Sequence, residues 1–245
     1  MPELFPSTAP VPTGAVGVLF DVDDTLVDLR SAMRVALLGA AERELQGLDE
    51  AARTEFAEHF SRDTDGFYDA YVRGELGFAQ QRHRRLQAAL AAWGLRTEQD
   101  VDGFSTRFES LVRDSWRVFA DVHGVLDALD GLGVPYGAVT NNVESYQRGK
   151  LRAVGLERIG VVIGSDTAGA PKPDPRSYLA GVAALGTAAA STLMVGDNPG
   201  HDVEGARQAG LPALLVDRFG RFADLGGVSG LTPVVGWAAG ALRAR

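Results

Sequence analysis

Apolar and polar positions along the chain fall into three blocks. Val16-Gly17-Val18-Leu19-Phe20 is a near-continuous apolar run that ends in Asp21, Asp23 and Asp24. Its length and branching predict a buried parallel strand with the acidic residues at its carboxyl end. From there to about Arg117 the apolar spacing is helical, and no β-rich run interrupts it. Met33, Val35, Ala36, Leu37, Ala40, Ala41 and Leu45 mark a first helix, with Ser31 as candidate cap and Gly47 as its end. Phe56 and Phe60 mark a second after Asp49, and Phe67, Tyr68, Tyr71 and Val72 a third that stops near Gly74. Leu86, Leu90 and Trp93 precede Gly94 in a fourth; Phe104, Phe108, Leu111, Val112 and Trp116 form a fifth.

Beyond Arg117 the two periodicities alternate. Strands are expected at 135–140, 159–164, 192–196 and 213–216, and helices at 122–132, 143–154, 175–185 and 204–209. A short apolar Val234-Val235 and an Ala-rich terminal helix follow a Gly-rich stretch. Strands separated by helices of roughly 10–15 residues predict an α/β fold with a doubly wound parallel sheet. Residues 15–27 and 118–245 then form one core, interrupted by an all-helical insertion at 28–117. Residues 1–14 carry Pro2, Pro6, Pro10 and Pro12 without a basic start or an apolar centre. They are expected to be a flexible leader, not a secretory signal.

Composition narrows the class of partner. The 24 basic and 32 acidic residues leave a net charge of −8, which argues against nucleic acid polymers and anionic membranes. No apolar run approaches the roughly 18 residues of a membrane span. With no cysteine, disulfides and thiolate metal sites are excluded, as suits a cytoplasmic chain. Lys150 and Lys172 are the only lysines. Lys150 falls on a helix expected at the surface and reads as a surface charge.

Four polar clusters lie at or just beyond predicted strand ends: Asp21/Asp23/Thr25, Thr140/Asn141, Lys172 and Asp197/Asp202. Strand ends of one parallel sheet converge, so residues distant in sequence can share a pocket. Like charges at about 4 Å cost roughly 4 kcal/mol at an effective dielectric of about 20, so the carboxylates call for a cation. Carboxylates for a hard cation, hydroxyl and amide donors and one point positive charge are the means of holding a phosphoryl group against a nucleophile.

Phe20-Asp21-Val22-Asp23-Asp24-Thr25-Leu26, Val139-Thr140-Asn141, Lys172-Pro173-Asp174-Pro175 and Gly196-Asp197-Asn198-Pro199-Gly200-His201-Asp202 resemble, in order, the four motifs of the haloacid dehalogenase-like hydrolases. The resemblance implies a Rossmann-like core and a magnesium-dependent phosphatase. Asp21 would be the nucleophile that forms an aspartyl-phosphate, and Asp23 the general acid and base. Thr140 and Asn141 would hold phosphate oxygens, and Lys172 would neutralise charge between phosphate and Asp21. Asp21, the Asp23 carbonyl and Asp197 would bind Mg²⁺, with Asp202 behind them orienting metal-bound water or Lys172. Asp24 stands where many members carry glycine.

The insertion separates the first two motifs by 119 positions, whereas the second and third lie only 32 apart. That placement resembles members with an all-helical cap domain that closes over small substrates. Tyr71 to Leu76 with Arg82, Arg84 and Arg85 is similar to the cap stretch of sugar-phosphate and nucleotide phosphatases. Those arginines cannot share one helix face, so at most one is expected to meet substrate. The expected partner is a small phosphorylated metabolite such as a sugar phosphate or nucleotide; oligomeric state is not legible. Haloacid dehalogenation is disfavoured by Asp23, and phosphonate cleavage by the lack of a lysine in 28–117. Phosphomutase activity on the same core, or a binding module that has lost catalysis, are the alternatives.

Overall fold

The fold is described from a computed structural model, which covers residues 15–244; the leader expected at 1–14 lies outside the described residues. The described residues divide into two compact units, one formed by 15–28 with 118–244 and the other by Leu29–Arg117.

The first unit opens with β1 (Gly17–Phe20), every residue of which is buried. The helical unit follows: α1 (Leu29–Ala40), α2 (Glu50–Arg62), α3 (Phe67–Val72), α4 (Phe78–Ala92) and α5 (Val101–Ser115). Ser31 lies inside α1, which ends before Gly47. Asp49 caps α2 by accepting from the Ala52 N–H, and Asp100 caps α5 through Gly103. Phe60, Phe104 and Phe108 stack in tilted pairs with centroids 5.5–5.6 Å apart and are fully buried with Phe56, Leu86 and Leu90. Arg82 and Arg85 are buried there too. Arg82 pairs with Glu109 at 2.5 Å, and Arg85 donates to the Phe60 carbonyl. Of the three arginines, only Arg84 is exposed.

The first unit resumes with α6 (Val122–Leu132), β2 (Tyr136–Val139), α7 (Glu144–Ala153), β3 (Val161–Ile163), the single turn α8 (Ser165–Ala168), α9 (Pro175–Leu185) and β4 (Thr192–Gly196). A wide π-type turn over Pro199–Glu204 leads into α10 (Gly205–Gln208), β5 (Ala213–Leu215) and α11 (Thr232–Arg243). The five strands are all parallel in the order β3-β2-β1-β4-β5. The sheet is therefore doubly wound, with β1 at its centre, where the strand order reverses. Leu19 packs on one face with Val139, Tyr178, Val182 and Met194. Val18 and Phe20 point to the other face and are also fully buried. Burial on both faces explains why β1 reads as a continuous apolar run.

Candidate active site

Three of the predicted residues come directly off strand ends. Asp21 follows β1 and donates its backbone N–H to Val195 of β4; Thr140 follows β2 and donates to Ile163 of β3; Asp197 follows β4. Strand pairing therefore carries the carboxyl edge one residue past each strand, and the side chains leave the sheet together at the reversal of strand order. After Asp21 the chain curls. Leu26 and Val27 both donate to the Val22 carbonyl, and Asp24 donates to Val27 at 2.7 Å. Asp24 adopts φ of 60° to make this turn, a left-handed conformation that glycine takes without steric cost.

Lys172 is the centre of the buried charge. Its Nζ lies 2.5 Å from Asp21 Oδ1 and 2.7 Å from Asp202 Oδ1. Asp21, Lys172 and Asp202 are only 7%, 3% and 1% exposed, so the ammonium is held between two carboxylates away from water. Burial alone would lower the Lys172 pKa, but the two carboxylates more than offset it and raise the value above that of a free lysine. Asn141 holds this lysine from behind, accepting from its backbone N–H at 2.6 Å and donating to its carbonyl at 2.9 Å.

Asp202 spends its second oxygen on the Asn198 N–H at 3.0 Å. It is brought under β4 by Gly196, where an added Cβ would lie 2.2 Å from Asp202 Cγ. Only glycine at the end of that strand lets the carboxylate approach. Asn198 and His201 serve the loop: the Asn198 side chain accepts from the Gly200 and His201 N–H groups. One carboxylate oxygen from each of Asp21, Asp197 and Asp202 lies within 4.8 Å of the others. Burial pushes the Asp197 carboxyl up to about 7, helped by Asp202 and Asp24 and opposed by Arg221, which donates to Asp197 Oδ2 at 2.8 Å. Asp21 is likewise raised, first by burial and then by Asp202, Asp197 and Asp23, against Lys172.

Asp23 belongs to a second, adjoining network. Lys150 Nζ donates to Asp23 Oδ1, and Gln147 Nε2 donates to Asp23 Oδ2 at 2.8 Å and to Thr140 Oγ1 at 3.0 Å. This corrects the surface placement expected of Lys150. The residue is 1% exposed because α7 turns Gln147, Lys150 and Leu151 toward the sheet. Spacing of i, i+3 and i+4 with an apolar leucine was the available signal, overridden by the rule that lysines are solvated. Gln147 and Arg221 had no motif to mark them.

The sequence model of the haloacid dehalogenase-like hydrolases matches residues 16–210, which include every residue of this constellation except Arg221. The chain belongs to that family. Among haloacid dehalogenase-like relatives, a phosphoglycolate phosphatase of Xylella fastidiosa (strain Temecula1) is 31% identical over 81% of this chain and 78% of its own. A phosphoserine phosphatase of Thermus thermophilus is 44% identical over 87 residues, 35% of each chain, so the match spans about a third of that relative. The magnesium-bound HAD-hydrolase YfnB of Bacillus subtilis superposes with a TM-score of 0.68 at 22% identity, over 84% of this chain and 90% of its own. That likeness shows the shared haloacid dehalogenase-like fold. No helix among the described residues is long and apolar enough to cross a membrane.

Proposed function

We propose that this hydrolase is a Mg²⁺-dependent phosphatase of small phosphomonoesters that works through an aspartyl-phosphate on Asp21. The observation that carries the reading is the Asp21–Lys172–Asp202 chain, a buried nucleophilic carboxylate with a cation already against it. A carboxylate approaching a phosphoryl group must overcome like-charge repulsion, and a fixed ammonium in a site of low dielectric offsets it. Asp21 forms a bond to phosphorus as the ester P–O bond breaks, and Asp23 gives its proton to the leaving oxygen. In the second half water attacks phosphorus, its proton passes to Asp23, and the bond to Asp21 breaks to release phosphate. Thr140 and Asn141 are assigned to the phosphate oxygens, although the Asn141 side chain is already engaged with Lys172.

The acidic cluster fits a hard cation, since its donors are all carboxylate oxygens and two of the three have raised pKa values that a cation would relieve. Asp21, Asp197 and the Asp23 carbonyl would hold Mg²⁺, while Asp202, with one oxygen on Lys172 and the other on Asn198, would stay behind them. Bound there, the ion would supply Lewis-acid polarisation of a phosphoryl oxygen. The same proposal gives the Leu29–Arg117 unit the part of a substrate-selecting cap.

A panel that includes phosphoglycolate, phosphoserine, sugar phosphates and nucleotides, assayed for released phosphate with Mg²⁺ and with EDTA, tests the reading. Asp21→Asn should fold normally and release no phosphate from any of them. Undiminished release by that variant would sink the covalent route.

A further inference from the structure

We propose that Gln147 and Lys150 are positioning residues for Asp23: a two-donor clamp on one face of α7 that fixes how its carboxyl group meets the leaving group. Each Asp23 oxygen has its own donor, Lys150 Nζ on Oδ1 and Gln147 Nε2 on Oδ2. The Gln147 amide also reaches Thr140 Oγ1, tying the proton-transfer group to a residue assigned to phosphate. Residues three apart share a helix face, so one rigid element sets both contacts.

The burial of these donors points to a role beyond surface pairing. Gln147 is 0% and Lys150 1% exposed, whereas the Asp23 side chain keeps 25% of its surface open. A buried ammonium is costly unless it is paired, and Asp23 pairs it. Gln147 Oε1 is buried without a hydrogen-bond partner among the described residues. That unsatisfied carbonyl is tolerated for the sake of what the amide nitrogen holds. Donors on both oxygens remove rotation of the carboxyl group while leaving one side of it accessible. Small displacements of a proton donor are costly to catalysis.

The inference rests on the phosphatase reading, and its test separates the two. A clamp on a proton donor matters most when the leaving group needs a proton. 4-Nitrophenolate leaves with little help; an alkoxide does not. Steady-state kinetics of the full chain with Mg²⁺ would compare 4-nitrophenyl phosphate with the alkyl ester of the panel that wild type turns over fastest. Lys150→Met and Gln147→Met should each lower kcat/KM on the alkyl ester at least about 30-fold but on the aryl ester only about 3-fold, inside the range of general-acid catalysis. kcat/KM reports the reaction up to phosphorylation of Asp21, the half in which the two esters differ. Asp23→Asn should show the same ordering more deeply. If Lys150→Met does not fold, Gln147→Met, which buries no new charge, decides alone. Crystal structures of the folded variants should show the Asp23 carboxyl rotated. Equal losses of kcat/KM on the two esters, or an unmoved Asp23, would overturn the clamp and leave the phosphatase reading standing. Wild type that hydrolyses neither ester would overturn both.

Discussion

Asp197 allows the electrostatics of the acidic cluster to be tested without any substrate. Its carboxyl is pushed up to about 7, chiefly by burial, from an ordinary value of 3.8. Because the raised pKa belongs to the folded state, the native chain binds that proton more tightly than the unfolded chain. The resulting stabilisation is complete below about pH 4 and disappears as pH rises through 7. A rise of this size corresponds to about 4 kcal/mol, of which about 2–3 kcal/mol is lost between pH 5 and pH 8. For a chain of this size that is about 5–10 °C in Tm. The raised Asp21 carboxyl acts in the same direction. Thermal melts in EDTA from pH 5 to pH 8 should therefore show wild type losing Tm with rising pH. Asp197→Asn cannot titrate at that position and should give a flatter line. Adding Mg²⁺ should restore wild type most at pH 8, where a cation replaces the missing protons. Wild-type melts in EDTA that are level or rise across this window, or an Asp197→Asn slope equal to that of wild type, would refute the reasoning.

Lys172→Met should cut kcat/KM more than about tenfold, and it should destabilise the chain by about 3–5 kcal/mol because Asp21 and Asp202 are left buried without a counter-charge. Wild-type kinetics from that variant would remove Lys172 from the reaction. Asp24→Gly should raise stability by up to about 1 kcal/mol by relieving the left-handed backbone, and an unchanged or lower denaturation midpoint would count against it. Gly196→Ala, whose Cβ would sit 2.2 Å from Asp202 Cγ, should weaken both stability and activity, because the carboxylate must move off Lys172. Full activity with an unshifted Tm would show that this close approach is dispensable.

Much of this was legible in the sequence, for identifiable reasons. The strands are buried on both faces, so they read as short apolar runs, and β4 spans Thr192–Gly196 as expected. The clusters at 21–25, 140–141 and 197–202 mark strand ends because polar side chains reappear where the sheet stops. The helix start at Asp49 is written in a side chain that caps locally. What escaped depends on neighbours distant in sequence. Lys150 and Asp23 are 127 positions apart, and nothing local in α7 says that a carboxylate waits beneath it. Arg82 and Arg85 escaped for the same reason, since Glu109 and the Phe60 carbonyl that hold them belong to other helices. Gly196 looked like an ordinary strand terminus, because its role lies in the space it leaves open.

The strand order has a consequence for how the chain is made. β1 is the centre of the sheet and is made before the other described strands, yet its partners are Tyr136–Val139 and Thr192–Gly196. At roughly 5–20 residues per second, the second of these edges emerges about 10–35 s after the first strand. Until β2 emerges β1 offers two unpaired backbone edges, and until β4 emerges one, with an apolar surface on each side, a template for wrong pairing. The intervening helical unit is compact within 29–117, so it can condense early while the central strand waits. The acidic cluster exists only after Asp202 has been added. Nascent chains halted between the second and fourth motifs are therefore where aggregation should concentrate.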